Sequence, residues 1–167
     1  MRRALGFMWE YFPIRTPIGE IYLVGQSGIL QKIYLPGQQP QLMDSHWEKA
    51  PEAFKEAARQ ITEYLSGKRR EFTLPIEVRA SPFQQSVYEE VAKIPYGDTL
   101  SYQEVANRLG NPKAVRAVGA ANGKNPLPIV IPCHRVLGSS NQLVGYSGGL
   151  ELKRYLLEFE SKQLNLF

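Results

Sequence analysis

Helix-start signals divide the second half of the chain into short segments. "SPFQ" at 81–84 places a serine at the N-cap, a proline at the first helical position and a glutamine at the third, which is the pattern of a capping box. "SYQE" at 101–104 repeats this spacing, and "NP" at 111–112 places an asparagine cap before a proline. These signals predict three short helices in succession, and we expect the third to run over 112–121.

The second and third of these helices predict a DNA-binding motif. They are joined by a Gly-Asn turn at 110–111, as in a helix-turn-helix, whose second helix commonly lies on DNA. Between Val105 and Leu150 the chain has basic residues but no acidic one, which indicates an anionic partner, nucleic acid first. The pattern alone leaves open a helical hairpin that only packs. The basic residues of this stretch are Arg108, Lys113, Arg116, Lys124 and Arg135.

The first third of the chain has β patterns followed by a helical one. Strand patterns lie around Glu20–Val24 and Ile29–Leu35, and the "GQSG" between them is a hairpin signal. Apolar residues recur at helical spacing within 50–67, and Gly67 ends that pattern. The segment 68–78, "KRREFTLPIEV", is predicted to form a short strand.

These patterns predict an α+β protein of two small units. The first, over 1–79, is an α/β unit with an antiparallel sheet. The second, over 80–167, is mainly helical and contains a winged-helix-like helix-turn-helix. Hydrophobic residues make up 43% of the chain and charged residues 22%, as in ordinary globular proteins.

The sequence also bears on location and assembly. No apolar run approaches the roughly 18 residues that a membrane span requires. One cysteine in 167 residues gives no sign of an oxidising compartment. We expect a cytoplasmic monomer that does not bind membranes.

Distinct segments flank the only cysteine of the chain. "NPLPIVIP" at 125–132 has too many prolines for a helix, and it predicts a short buried strand or extended segment that fixes Cys133. A glycine-rich loop at 144–150 precedes an amphipathic helix predicted over 151–160. We expect the inward face of that helix to consist of Leu152, Tyr155, Leu156 and Phe159.

Two interpretations of Cys133 are open. A lone cysteine after an apolar run is most often a small buried hydrophobe. Alternatively, His134, Arg135 and free backbone N–H groups of a turn would stabilise a thiolate and make the sulfur a nucleophile. His134 would act through a bridging water, because adjacent side chains diverge, and it needs a carboxylate to fix its tautomer. The candidate carboxylates, which the pattern does not rank, are Glu151, Glu158 and Glu160.

Metal and nucleotide-cofactor chemistry are not indicated. One cysteine and two histidines far apart offer no paired-ligand spacing for zinc, and the N-terminal unit has only His46 as such a ligand. The glycines of "GNPKAVRAVGAANG" at 110–123 lack the spacing and the preceding strand of a dinucleotide loop. We therefore expect no metal and no cofactor.

The cysteine segment and the helix pair resemble one known family. "PCHRV" at 132–136, with "NPLPIVI" before it and "GYSGGLELKRYLLEFE" after it, resembles the active-site region of the bacterial O6-alkylguanine-DNA alkyltransferases. "SYQEVANRLGNPKAVRAVGAANGKNP" at 101–126 resembles their DNA-binding helices. The resemblance covers about residues 80–161, and the first 80 residues match only in size and element order. It implies direct repair of double-stranded DNA, in which a cysteine takes the alkyl group from O6 of a damaged guanine.

The resemblance also implies a role for each residue of the site. Cys133 accepts the alkyl group irreversibly and once, after the guanine is flipped out through the minor groove. His134 is the base that acts through water, Glu160 orients it, and Asn125 braces the turn before the cysteine. The implied DNA contacts are Arg116, which replaces the flipped base in the stack, Tyr102, Lys113 and Arg135; the implied guanine pocket consists of Tyr102, Val136, Tyr146 and Ser147.

Three other functions compete with this one. A lesion-binding relative without transfer activity would lack the acceptor cysteine, which is present here. A cysteine hydrolase with a Cys-His-Glu arrangement would turn over and would not need the basic helix pair. A sequence-specific regulator with a structural cysteine would bind an operator and tolerate Cys133→Ser.

Overall fold

The computed structural model describes residues 8–38, 40 and 46–165. The first sheet in this part of the chain contains β1 (Trp9–Thr16), β2 (Gly19–Gln26), β3 (Ile29–Tyr34) and β4 (Trp47–Lys49). Their order is β3-β2-β1-β4; the first three pair antiparallel, and β4 lies parallel to β1. The predicted hairpin of β2 and β3 is confirmed, and both Ser27 and Gly28 in its turn have the positive φ that tight hairpins favour.

The sequence prediction missed β1 and β4 and placed a strand where none forms. β1 contains Pro13, which weakens a strand pattern, yet the stretch from Glu10 to Thr16 pairs continuously with β2. β4 is three residues long and too short for periodicity to identify. The predicted strand at 68–78 is irregular apart from an isolated bridge between Ile76 and Leu30.

Both predicted capping boxes are present. The Ser81 hydroxyl accepts the Gln84 N–H, and the Ser101 hydroxyl accepts the Glu104 N–H; in each pair the longer side chain bonds back to the serine N–H. Local side-chain chemistry therefore sets the start of two helices. The helices of the described chain are α1 (Lys55–Leu65), α2 (Pro82–Ala92), α3 (Tyr102–Arg108), α4 (Val115–Gly123) and α5 (Leu150–Leu164).

α4 begins at Val115, three residues later than predicted. Ala114 occupies its N-cap and makes no side-chain cap hydrogen bond. Asn111 instead closes a turn, in which its carbonyl accepts the Ala114 N–H (3.0 Å). The Gln103 amide of α3 donates to the Pro112 carbonyl (2.9 Å), so a contact from the preceding helix holds the turn between the two helices.

A short parallel strand pair links the helix-turn-helix to the cysteine. β5 (Leu100–Ser101) runs directly into α3, and β6 (Val136–Leu137) directly follows a 3-10 turn over Cys133–Arg135. The two strands pair residue for residue. The start of α3 is therefore held beside the residues that follow Cys133.

α5 buries a different face from the predicted one. Leu156 is fully buried as expected, but Tyr155 is 41% exposed. Lys153 and Glu160 are fully buried as well, and a hydrophobic pattern does not select such polar positions. These two side chains hydrogen-bond the turn and strand that contain Cys133 and Val136, so this helix supplies polar groups to the site.

One hydrophobic cluster extends through both halves of the chain. It joins the inward residues of the first sheet and α1 to those of α2, α3, α4 and α5. Phe54 and Tyr64, from the N-terminal half, are among the largest fully buried side chains. The N-terminal unit therefore supports the helical unit directly. In the described residues no helix combines the length and the apolar character that crossing a bilayer requires.

Candidate active site

A tight turn braced by Asn125 leads to Cys133. The Asn125 amide nitrogen donates to the Ile131 carbonyl (2.8 Å), and its oxygen accepts the Leu127 N–H (3.0 Å). Ile129 is buried as predicted, but its φ is +76°, a left-handed conformation that is costly for a β-branched residue. The segment is therefore not the extended strand that its composition predicted, and the Asn125 side chain supplies the bonds that a strand partner would make.

Cys133 is buried and its thiol is neutral. The residue is 3% exposed, and desolvation raises the pKa of its thiol to about 11, which the Asn125 amide and the Lys153 charge offset only in part. Its N–H donates to the Ile131 carbonyl (2.8 Å). Backbone hydrogen bonds from Cys133 and His134 to the sulfur lower the thiol pKa, as predicted, but by less than burial raises it. The expectation of a thiolate stabilised in the free protein is therefore wrong, because burial outweighs the nearby positive charge. Attack by this sulfur requires a base that removes its proton.

His134 is a neutral imidazole with one nitrogen available as an acceptor. The side chain is fully buried, and its Nε2 lies 2.8 Å from Oε1 of Glu160. An ionised carboxylate only accepts hydrogen bonds, so Nε2 bears the proton and Nδ1 bears the lone pair. Nδ1 has no hydrogen-bond partner among the described residues, and burial lowers the pKa of the ring. A neutral ring in this state can act as a base.

Glu160 is the carboxylate that orients His134. It is fully buried, whereas Glu151 and Glu158 are exposed. Burial by itself raises the pKa of Glu160, but hydrogen bonds from His134 and Arg135 outweigh it and lower that pKa to about 2. Glu160 is therefore ionised at neutral pH and fixes the histidine tautomer.

Arg135 is a partner of Glu160 and not a DNA contact. Its guanidinium donates to both carboxylate oxygens, with Nη2 to Oε1 at 2.7 Å and Nε to Oε2 at 3.0 Å. Nη1 donates to the Ile94 carbonyl (2.7 Å), and the side chain is 7% exposed. The predicted DNA contact by Arg135 is corrected, because a buried carboxylate needs a paired cation and the guanidinium faces inward to provide it.

Lys153, which sequence reasoning missed, connects the glycine-rich loop to β6. Its Nζ donates to the carbonyls of Val136 (2.6 Å) and Val144 (2.9 Å). The Tyr102 hydroxyl donates to the same Val144 carbonyl (3.2 Å). This residue was missed because a lysine in an amphipathic helix is ordinarily assigned to its polar face. Lys153 lies seven residues before Glu160, and this helical spacing, which places both on one face, could have indicated its burial.

The predicted guanine-pocket residues lie around this loop. Val136 is buried in β6, and Tyr102 is half-buried at the start of α3. The Tyr146 hydroxyl is buried and has no partner among the described residues. Ser147 is exposed, and its carbonyl accepts a hydrogen bond from the Gln38 amide (2.9 Å). Gln38 was not foreseen, because local patterns do not relate residues 109 positions apart.

α4 presents a small and basic outer surface. Arg116 is exposed in its first turn, and Lys113 is exposed in the turn that precedes it. Ala117 and Ala120 are exposed on the same helix. An outer face of alanines beside an arginine allows close approach to a groove and attracts an anion.

These features define a class of protein. A buried thiol lies beside a histidine oriented by a glutamate, and a helix-turn-helix with a basic outer helix is joined to the same turn by a strand pair. In the part of the chain that the structure describes, no group of three or more His, Cys, Asp or Glu side chains is placed to bind a metal ion. The class is that of DNA-binding proteins with a cysteine nucleophile.

Comparison with known families identifies the family within this class to which the chain belongs. Residues 82–162 match the family model described as the DNA binding domain of 6-O-methylguanine DNA methyltransferase. Residues 9–78 match the model of the ribonuclease-like domain of the same enzyme. The chain belongs to the 6-O-methylguanine DNA methyltransferase family; it is a transferase, and its partner is DNA.

Relatives of this family match nearly the whole chain. The methylated-DNA–protein-cysteine methyltransferase of Mycobacterium tuberculosis (strain ATCC 25618 / H37Rv) is 42% identical and covers 93% of this chain and 94% of its own. That of Methanosarcina barkeri is 43% identical over 92% of this chain and 98% of its own.

Solved structures confirm the predicted α+β fold. The M. tuberculosis O6-methylguanine methyltransferase, at 42% identity, covers 93% of this chain and 94% of its own with a TM-score of 0.86. The M. tuberculosis OGT in complex with DNA, also at 42% identity, covers 92% and 94% with the same TM-score of 0.86.

Proposed function

We propose that this protein repairs O6-alkylguanine in double-stranded DNA by transferring the alkyl group to Cys133. The observation that carries the proposal is that the only thiol of the chain directly precedes a neutral histidine whose Nδ1 is an available acceptor. The family relation supports it, since the relatives named above are methylated-DNA–protein-cysteine methyltransferases.

The transfer is a displacement at carbon. The sulfur of Cys133 attacks the alkyl carbon on O6, and the S–C bond forms as the C–O6 bond breaks. The bonding electron pair stays with guanine, which takes up a proton from solvent. The thiol proton passes through water to Nδ1 of His134 and then to solvent, while Glu160 stabilises the imidazolium in between.

A guanine in a duplex must leave the base stack before a buried sulfur can reach it. Extrusion costs about a few kcal/mol, and we assign Arg116 to fill the vacated stack because it is exposed among small residues on α4. Lys113 is assigned to a phosphate. Approach from the minor groove suits a protein that recognises a lesion rather than a sequence. The residues assigned to receive the base are Tyr102, Val136, Tyr146 and Ser147.

The reaction consumes the protein. A thioether has no easy hydrolysis route, and the chain has no second cysteine to take over the alkyl group. We infer that one monomer repairs one lesion, since a single chain contains every group assigned above. Because this thiol must stay reduced until its single use, we propose that the protein acts in a reducing compartment, the cytoplasm.

Intact-protein mass spectrometry tests the proposal. Incubation with duplex DNA that contains one O6-methylguanine is expected to add the mass of one CH₂ group, with saturation at one group per chain. Peptide mapping is expected to locate it on Cys133. Cys133→Ser serves as the control: it is expected to bind the same duplex and to remain unmodified.

The competing functions give different results in this experiment. Binding of the damaged duplex without any gain in mass would identify a lesion binder. Loss of the methyl group from DNA with unmodified protein would identify an enzyme that turns over. Selective binding of one undamaged sequence, unaffected by Cys133→Ser, would identify a regulator. Each of these outcomes overturns the proposed transfer.

A further inference from the structure

A tyrosine from the N-terminal unit reaches the histidine–glutamate pair. Tyr64 lies in α1 and is fully buried. Its hydroxyl donates to Oε1 of Glu160 (2.6 Å) and lies 3.4 Å from Nε2 of His134. The same Oε1 atom accepts hydrogen bonds from His134 Nε2 and from Arg135 Nη2. One side chain from α1 and two from the 3-10 turn therefore converge on one carboxylate oxygen.

Packing alone does not account for this hydroxyl. The Tyr64 ring contacts Phe72, Tyr96 and Phe159, with centroid distances of 5.5, 5.9 and 6.3 Å. A phenylalanine at this position would make the same ring contacts. A hydroxyl in such an aromatic cluster is unfavourable unless it is hydrogen-bonded, and its partner here is the carboxylate that orients the base.

We propose that Tyr64 is a positioning residue of the transfer reaction: its hydroxyl holds Oε1 of Glu160, and thereby the His134 ring, in the orientation that keeps Nδ1 as the acceptor. Tyr64 does not touch the reacting atoms and acts through Glu160. This inference rests on the proposed transfer to Cys133, because that reaction is the one that uses His134 as a base.

Tyr64 also moderates the negative charge that His134 faces. A donor on Oε1 spreads the charge of the carboxylate, so the protonated ring is stabilised less. Without this donor, Glu160 attracts the Nε2 proton more strongly, and the pKa of His134 rises. More of the ring is then protonated at a given pH and unable to act as a base. The ionisable groups around the pair are Lys153 from α5, Cys133 and Arg135 from the 3-10 turn, Tyr64 from α1, Tyr96 from the loop before β5 and Tyr146 from the glycine-rich loop.

Single-turnover transfer rates measured across pH test this role with a matched pair of variants. Tyr64→Phe removes the hydroxyl and keeps the ring. Tyr88→Phe is the control for loss of one buried hydroxyl: Tyr88 is 4% exposed, and its hydroxyl donates to the Ala121 carbonyl (2.9 Å). That hydroxyl interacts electrostatically with the Cys133 thiol and not with the histidine–glutamate pair, so the variant controls for the titration of His134.

We expect Tyr64→Phe to slow transfer by about tenfold at neutral pH, out of the roughly 10²–10⁴-fold that a general base contributes. The acidic limb of its pH–rate profile is expected at higher pH than in the wild type, and its affinity for damaged DNA is expected to be unchanged. Tyr88→Phe is expected to leave the acidic limb in place.

Imidazole NMR supplies a readout that does not depend on transfer. The chain has two histidines, so His46→Gln identifies the signal of His134. The pKa of His134 is expected to be higher in Tyr64→Phe than in the wild type and unchanged in Tyr88→Phe.

The outcomes separate this inference from the proposed function. The role of Tyr64 would be overturned if Tyr64→Phe kept the transfer rate, the acidic limb and the His134 pKa of the wild type. It would also be overturned if Tyr64→Phe and Tyr88→Phe shifted these quantities equally. Either result leaves the transfer reaction standing. Absence of methyl transfer by the wild-type protein would overturn the proposed function and this inference with it.

Discussion

At Cys133 burial and charge act on the thiol in opposite directions. The residues that follow it, His134 and Arg135, suggested a thiol of low pKa. In the structure the guanidinium of Arg135 pairs with Glu160, and His134 is neutral, so neither neighbour in sequence places a free positive charge beside the sulfur. Desolvation then raises the pKa of the thiol. The local sequence does not specify this result, because the partner of Arg135 comes from α5.

The thiol of the folded protein is expected to react slowly with iodoacetamide at neutral pH. Thiolate is the reactive form, so the rate should be half-maximal near the thiol pKa of about 11, whereas an ordinary cysteine reaches half its maximal rate at pH of about 8.5. The alkylated fraction over time, measured by mass spectrometry at a series of pH values, gives this profile. In urea the midpoint of the pH–rate profile should fall to the ordinary value; a midpoint at pH of about 8.5 in the folded protein would contradict the prediction.

Glu160→Gln is expected to destabilise the protein by about 3–5 kcal/mol, because it leaves the buried charge of Arg135 without its carboxylate partner. Glu158→Gln, on the exposed side of the same helix, is the control and should change the free energy of unfolding by less than about 0.5 kcal/mol. Urea denaturation at pH 7 measures both. Similar losses in the two variants would show that the ion pair is not the cause.

Glu160 and His134 also make the protein less stable in acid. The folded pKa of Glu160, about 2, lies below its ordinary value of 4.5, so its stabilising contribution is present above pH 4.5 and is lost as pH falls toward 2. His134, whose folded pKa is also lowered, adds a loss that begins below its unfolded pKa of about 6.5. The free energy of unfolding should decline from pH of about 6.5 downward. The decline below pH 4.5 should be shallower in Glu160→Gln, and the remainder comes from the other glutamates whose pKa is lowered, Glu56, Glu63, Glu77 and Glu104.

Among the elements, helix starts that depend on local capping were predictable. α2 and α3 begin at the serines that the sequence indicated, because a capping box is complete within four consecutive residues. The start of α4 was not predictable, because the Gln103 amide of α3 and the turn at Asn111 set it. The buried face of α5 was not predictable either, since its polar positions are buried only through partners elsewhere in the fold.

Ser101→Ala and Ser81→Ala form a matched pair of cap variants. Each is expected to cost about 1 kcal/mol and to lower Tm by about 2–4 °C. Only Ser101→Ala should also weaken binding to damaged duplex DNA, because α3 begins with Tyr102 beside β6. Thermal melts and fluorescence anisotropy measure the two effects. Equal weakening of DNA binding by Ser81→Ala would show that general destabilisation is responsible.

At the scale of the whole molecule, the N-terminal unit donates hydrogen bonds to the candidate active site, although its sequence motifs do not indicate this. Tyr64 donates to Glu160 from α1, and Gln38 donates to the Ser147 carbonyl of the glycine-rich loop. The hydrophobic cluster shared by both halves of the chain keeps these hydrogen-bonding partners close together. The unit that carries no recognisable motif therefore supplies two of the bonds that shape the site.

Electrostatic attraction to DNA is a property of the whole molecule, whose formal net charge is +4. Lys113→Ala is expected to reduce the slope of log Kd against log salt concentration by about one, as loss of one phosphate contact does. Lys55→Ala, an exposed lysine of α1, should leave the slope unchanged. Anisotropy titrations at several salt concentrations measure the slopes, and equal reductions in both variants would contradict a specific contact by Lys113.

The sequence by itself determined the β2–β3 hairpin, the two capped helices, the helix pair that follows the second cap and the presence of a single thiol. Each of these depends on residues within one turn of one another, or on a contiguous motif, so local hydrogen bonding and residue type specify it. Only the tertiary structure decided the neutral state of Cys133, the inward pairing of Arg135 and the burial of Lys153 and Tyr64. A pKa and a buried hydrogen bond depend on desolvation and on partners from distant segments, and those are present only when the two halves of the chain pack together.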